Sequence, residues 1–283
     1  MSITHRPDIV EYYDNTWLDY RAIWLNSKNL AMHFGYWDEG TESHSDSLLN
    51  MNRELAAMLD MQPGMRILDA GCGVGGSSLW LAENFEAQVV GITLSADQVR
   101  RARRFAEERD LADRVTFEVA DYCDTGFDPG AFDMVWAEES CCYAEDKAAF
   151  LAESYRILRS GGQLGVADGF RGSRNMSRDN ELLFQRLVNS WAADDICTII
   201  EFAEMAESAG FFDVGTRDIS SNVYRSIQRL SSAATLWQPL GWMLTKLGVR
   251  PSVTYDNVVG AKLVGRAFRR HLLSYAMITA RRP

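Results

Sequence analysis

An α/β fold is predicted: a doubly wound, seven-stranded, mainly parallel sheet with a helical N-terminal cap and a helical lid insertion. Three observations predict it. Short β-rich runs alternate with helical stretches between residues 65 and 220, the order that parallel strands with crossover helices require. A glycine cluster, Asp69-Ala70-Gly71-Cys72-Gly73-Val74-Gly75-Gly76, stands where the first strand turns into the first helix. A last β-like run, SYAMITA (274–280), returns after a long helical detour.

In chain order, residues 1–60 are rich in Tyr and Trp and read as the helical cap. MRILDAG (65–71) is an apolar strand ending in Gly, and in GSSLWLAENF (76–85) Leu79, Ala82 and Phe85 mark one helix face. There follow strand QVVGITL (88–94), a helix from Ser95 to about Arg109 with Ser95 as its cap, and strands RVTFEVA (114–120) and FDMVWAE (132–138). A helix from Lys147 to Leu158 leads to strand GQLGVAD (162–168). The stretch 194–210 reads as a helix ending at a C-terminal Gly, ahead of strand 211–220. The core is therefore 61–220, the lid insertion 221–273, and residues 274–283 rejoin the sheet.

Composition narrows the function classes. The chain has 283 residues, 47% hydrophobic and 24% charged, enough for one large α/β domain with additions. No segment reaches the roughly 18 uninterrupted apolar residues of a membrane span, and the N-terminal run lacks a signal-peptide core, so a cytoplasmic address is expected. Five cysteines without a CxxC pair read as buried thiols. The net charge of −10 is unevenly spread: residues 221–283 hold ten Lys or Arg against one acid, Asp256, leaving +9 there and −19 in residues 1–220. So acidic a body disfavours nucleic acid, while the basic tail suits a small anionic ligand or an anionic membrane.

The glycine cluster lets backbone approach a ligand closely at a helix N-terminus. Gly71-x-Gly73-x-x-Gly76 also matches a dinucleotide fingerprint, but that function wants an acid at the end of the second strand. Gly91-Ile92-Thr93-Leu94-Ser95 stands there instead. Taken together, ILDAGCGVGGSSLWLA, VVGITLSADQ and FEVADYCD resemble the class I S-adenosylmethionine (SAM)-dependent methyltransferases, with their Rossmann-like fold. The subgroup resembled includes tocopherol, sarcosine/dimethylglycine, sterol and isoprenyl-diphosphate methyltransferases, and the resemblance spans roughly residues 10–220.

It implies that Asp69 and the backbone of Gly71 and Gly73 hold the amino acid end of SAM. It implies further that Thr93, Leu94 and Gln98 meet the ribose and adenosine, and that Asp121, with Tyr122 beside it, meets the adenine. Asp69 and Asp121 have loop-cap readings too. Ahead of the sheet, Tyr12-Tyr13-Asp14 and His33-Phe34-Gly35-Tyr36-Trp37 resemble segments that fold over the cofactor. Of these aromatics Tyr13 is the candidate for the sulfonium, since a cation over a ring gains roughly 0.5–2 kcal/mol; an aromatic core accounts for Tyr12, Tyr36 and Trp37.

Methyl transfer from a sulfonium needs in-line positioning and dryness more than a metal, and the four histidines are scattered without ligand spacing. The fourth strand ends in Glu138 and Glu139, at the edge where open sheets bind ligands. Isoprenyl-diphosphate C-methyltransferases have a Glu in the position of Glu139, which implies a base or carbocation stabiliser there, supported by Tyr143. Tyr143 is itself a departure, because many relatives carry His at that place. Glu138 is the second candidate, and solvated loop acids are the plain alternative.

The lid mixes an apolar stretch (230–248) with Arg225, Arg229 and Arg266, a pattern suited to an acceptor with an oily body and an anionic head. C-methylation of an isoprenoid diphosphate is the favoured expectation. O-, N- or ring C-methylation of an aromatic or terpenoid product is the alternative, and a SAM-binding regulator without turnover is the rival of another class. Peripheral membrane contact and a homo-oligomer contact stay open as uses of the basic face.

Overall fold

The computed structural model describes residues 7–26, 29–193 and 195–283. Residues 1–6, with His5, residues 27–28 and residue 194, at which a helix is expected to start, lie outside the described residues. Two helices, α1 (Pro7–Ile23) and α2 (His44–Ala56), precede the first strand β1 (Arg66–Ala70). Then come α3 (Gly76–Phe85), β2 (Gln88–Thr93), α4 (Ala96–Glu108), β3 (Val115–Val119), β4 (Phe132–Glu138), α5 (Lys147–Ile157) and β5 (Leu158–Arg171). After α6 (Arg178–Ser190), α7 (Ile199–Ser208) and β6 (Phe212–Asp218), the chain forms α8 (Ser220–Lys246) and α9 (Ser252–Arg269) before the final β7 (Leu273–Arg281).

The seven strands lie in the order β3-β2-β1-β4-β5-β7-β6. The pairs from β3 to β5 are parallel, and β7 inserts antiparallel between β5 and β6. Strand alternation distributes the core to both faces. Ile67, Met134 and Trp136 pack on one side with α3, α4, α6 and α9; Leu68, Ala70, Val135 and Ala137 pack on the other with α5 and α7. Each fully buried large side chain contributes about 1.5–3 kcal/mol, so this double cover holds the strand ends that carry the site.

Several boundaries differ from the pattern reading. β5 is longer than 162–168, because β7 pairs with it from Gln163 to Arg171. α7 begins at Ile199, where Thr198 and Glu201 form a reciprocal capping box. α6 has signals that the strand-centred reading passes over: Ser177 accepts from the backbone of Asn180, and Leu183, Phe184, Leu187 and Val188 are buried at helical spacing. Of the five thiols, Cys72, Cys141 and Cys197 are buried, and all five are free.

The expected lid is a helical hairpin. Ser231 Oγ donates to the carbonyl of Lys262 at 3.0 Å, and Gln238 Nε2 donates to Tyr255 Oη at 3.3 Å, so α8 and α9 run antiparallel. The hairpin is tied to the cap by Tyr12 Oη donating to Asn257 Oδ1 (2.7 Å) and by Arg250 Nη2 to Asp19 Oδ1 (2.7 Å). Among the described residues no helix is long and apolar enough to cross a membrane.

Candidate active site

The carboxyl ends of β1, β2, β4 and β5 converge on two adjoining cavities, as a topology that reverses at β1/β4 requires. The smaller, of about 100 Å³, lies over the glycine turn; the larger, of about 370 Å³, lies under the α8–α9 hairpin. Tyr13, Met32, His33, Glu139 and Tyr143 border both. That shared wall is where one ligand meets another.

In the smaller cavity, Gly71 adopts φ +89°, and a Cβ there would sit 2.4 Å from Ser140 Cβ. Gly73 at φ +54° has open space beyond Met32 Sδ, 3.5 Å from where its Cβ would be. These are backbone positions that glycine satisfies without strain. Asp69 is 2% exposed, and burial pushes its carboxyl up to about 7 against the opposing hydrogen bond from Ser78. A buried acid of this kind suits an ammonium ligand. Thr93 Oγ1 donates to Gln98 Oε1, Ser95 Oγ caps α4 by accepting from Gln98, and the same hydroxyl donates to Asp14 Oδ1 of the cap at 2.6 Å. Asp69, Gly71, Gly73, Thr93, Leu94, Gln98, Tyr122 and Tyr13 all line this cavity. The acid, the open glycine turn and the polar Thr93/Gln98 edge fit a zwitterionic nucleoside ligand such as SAM.

Asp121 is placed apart from these residues. It does not line the cavity; its Oδ1 accepts from Cys123 N at 2.8 Å and closes the turn after β3. The short side chain satisfies its own loop, which is the loop-cap reading. Tyr122 does line the cavity, with its hydroxyl donating to the Ser140 carbonyl at 2.9 Å.

At the shared wall both adjacent carboxylates point inward, on different partners. Glu138 is buried, accepts from Ser77 Oγ at 2.6 Å, and lies 3.4 Å from His33 Nδ1. Burial raises its pKa, while His33 and Ser77 oppose the rise. Glu139 takes φ +46°, an uncommon conformation for a residue with a Cβ. Its Oε1 accepts from the backbone N–H of Phe34 and from Tyr275 Oη (2.8 Å), and burial holds its pKa well above the carboxylate range. Asp168 is satisfied by four donors, among them Ser140 N and Cys142 N. Cys142 borders the larger cavity, and burial with the nearby Asp168 pushes its thiol up, so it is a neutral wall residue.

His33 is the residue that sequence reasoning missed. Its Nδ1 stands 2.9 Å from the Phe34 carbonyl and faces Glu138, a pair of acceptors that places the proton on Nδ1. Nε2 is then a bare acceptor, buried and without a partner. The H-x-G-Y-W segment carried the signal, but Glu138 is remote in sequence.

The larger cavity is walled mainly by apolar side chains such as Trp191, Leu187, Leu244 and Phe268. Arg225, Arg229 and Arg266 are not brought to this cavity. All three are exposed on the hairpin and none reaches the cavity; Arg225 stacks on Trp37, 3.9 Å from the ring centre. They lie on the wet face of helices whose other face covers the cavity. The arginine that does border it, Arg250, is committed to Asp19.

Comparison with known proteins bears on this geometry. Residues 68–166 match the family model described as a methyltransferase domain. A probable chloroplastic tocopherol O-methyltransferase of Oryza sativa subsp. japonica is 29% identical over 276 residues, covering 93% of this chain and 75% of that protein. The crystal structure of the [4+2]-cyclase SpnF aligns with TM-score 0.79 and 25% identity over 100% of this chain and 98% of the other. A geranyl diphosphate C-methyltransferase from Streptomyces coelicolor A3(2), in complex with Mg2+, geranyl diphosphate and S-adenosyl-L-homocysteine (SAH), aligns with TM-score 0.77 at 20% identity, over 100% and 99%.

Proposed function

The chain belongs to the class I SAM-dependent methyltransferases, and on that premise we propose that it methylates a hydroxyl oxygen of a neutral, largely apolar acceptor. SAM is its cofactor, and when bound supplies an electrophilic methyl group on a sulfonium. The observation that carries the acceptor class is the wall of the larger cavity. A diphosphate would meet the acids Glu139 and Asp168 there and, among the described residues, a single arginine already paired with Asp19. An anion so placed would lose its hydration without gaining a counter-charge from a protein side chain.

In this reading Asp69 and the Gly71–Gly73 backbone hold the amino acid end of SAM, Thr93, Leu94 and Gln98 its nucleoside end, and Tyr13 screens the junction. His33 Nε2 accepts the proton of the acceptor hydroxyl, and Glu138 holds the ring in the tautomer that leaves Nε2 free and supports the charge that forms. Glu139, fastened to Phe34 N and Tyr275 Oη, acts by fixing the segment next to His33. Its Oε1 is already engaged by those two donors, which argues against Glu139 as the base. Tyr143 and Tyr13, with ring centres 5.8 Å apart, exclude water from the shared wall. The tocopherol O-methyltransferase likeness supports an apolar hydroxyl acceptor; the fold of the geranyl diphosphate enzyme supports the alternative, in which Glu139 would serve a carbon acceptor.

The test is SAH release by the purified protein with neutral phenols and terpenoid alcohols, amines, and isoprenyl diphosphates. Turnover on neutral hydroxyls, lost in His33→Asn, is expected. Turnover confined to diphosphates, or unaffected by His33→Asn, overturns the proposal.

A further inference from the structure

The hairpin exposes an apolar surface at its tip. Leu236, Leu247 and Val249 are 77%, 69% and 66% exposed, and Trp242 and Met243 lie beside them at 52% and 45%. A helix apolar on several sides is ordinarily buried on several sides. In α8 one apolar stripe, including Ala233, Trp237, Gly241 and Leu244, faces the larger cavity. The other, through Leu236, Met243 and Leu247, faces outward from the same turns. The wall of the acceptor cavity and the exposed surface are therefore the two sides of one helical segment.

We propose that this tip docks on an anionic lipid bilayer, lying on it and drawing acceptor from it. Charge selects the occupant. The hairpin Ser220–Arg269 holds seven Lys or Arg against one acid, Asp256, with Lys246 exposed inside the patch, whereas residues 1–220 carry −19. An anionic surface attracts the hairpin and turns the acidic body away. Indoles such as Trp242 favour the headgroup boundary, and no described helix is long and apolar enough to cross a membrane. A second copy of the chain would seal the segment that walls the cavity, while a bilayer covers the patch and dissolves an apolar acceptor. The membrane contact stands on the patch and its charge; the delivery of acceptor rests on the proposed acceptor class.

The experiment is co-sedimentation of the full chain with vesicles of phosphatidylcholine alone and with added phosphatidylglycerol, compared with the double variant Trp242→Glu/Leu247→Glu, which touches no cavity wall. Wild type should sediment with the anionic vesicles, less with neutral ones, and release with salt. The variant should lose about tenfold or more of that partition while keeping its melting temperature and SAH affinity. Wild type left in the supernatant with both vesicles overturns the proposal, as does a variant that sediments like wild type. A wild-type dimer by light scattering that the variant dissolves, with no vesicle binding, assigns the patch to a second copy instead. These readouts need no acceptor, so failure of the acceptor class shows separately, as silence on the hydroxyl panel with vesicle binding intact.

Discussion

His33 Nδ1 faces Glu138 Oε1 at 3.4 Å, with both side chains almost fully buried and one residue on the cap, the other on β4. The pairing joins cap to sheet at the boundary between the two cavities. It leaves one imidazole nitrogen free for chemistry.

His33→Asn should lower kcat by about 10²–10⁴-fold on a hydroxyl acceptor, with SAH affinity by calorimetry changed little. Glu138→Gln should cost less, because the Phe34 carbonyl still holds Nδ1–H. Equal losses in SAH affinity and kcat would instead make the pair a structural link.

Glu139→Gln and Glu139→Ala should differ. Gln preserves an oxygen acceptor for Phe34 N and Tyr275 Oη and should retain most activity. Ala orphans two donors, at about 1–3 kcal/mol each, and should lower the melting temperature. A Gln variant that folds normally yet loses turnover would return the base to Glu139.

Asp69 gives a pH test. Its folded pKa of about 7 is raised above its unfolded value, so folded-state stability is full below about 4 and falls as pH rises through about 7, by ~4 kcal/mol overall. Thermal melts from acid to neutral pH should show that slope in wild type and lose it in Asp69→Asn. An ammonium ligand should pull the pKa back down, so SAH binding at pH 7, where the carboxyl is about half protonated, should release up to about half a proton, read by calorimetry in buffers of different ionisation enthalpy.

Gly71→Ala should weaken SAH binding at least tenfold and cost about 1–3 kcal/mol of stability. Its Cβ would collide with Ser140, which is pinned by its hydroxyl bond to the Ala70 carbonyl at 2.6 Å. An unchanged melting temperature and affinity would mean that the turn relaxes freely.

Arg225→Ala, Arg229→Ala and Arg266→Ala should leave kcat/KM for a dispersed neutral acceptor within about twofold, because exposed substitutions typically shift energies by about 0.5 kcal/mol or less. A large loss confined to diphosphate acceptors would reinstate the anionic head.

The order of the strands, the glycine turn after β1 and the Ser95 cap were legible in the chain, because each is written in local spacing, whereas α6 was passed over and the residues expected at the cofactor came from the family resemblance. Helical spacing of apolar residues also marked 258–273, within α9 and beyond it, as amphipathic. What it could not mark was what each face would meet. Arg225, Arg229 and Arg266 turned outward, while Arg250 reached Asp19 across the fold. Glu138 and Glu139 are neighbours in sequence, but β4 delivers one to His33 and a left-handed residue turns the other to Phe34 and Tyr275. Asp121 closed its own loop. Local chemistry determines which groups a segment carries and how they repeat; only packing between distant segments decides which groups share a dry space, and a dry space is where their charges and protons acquire a function.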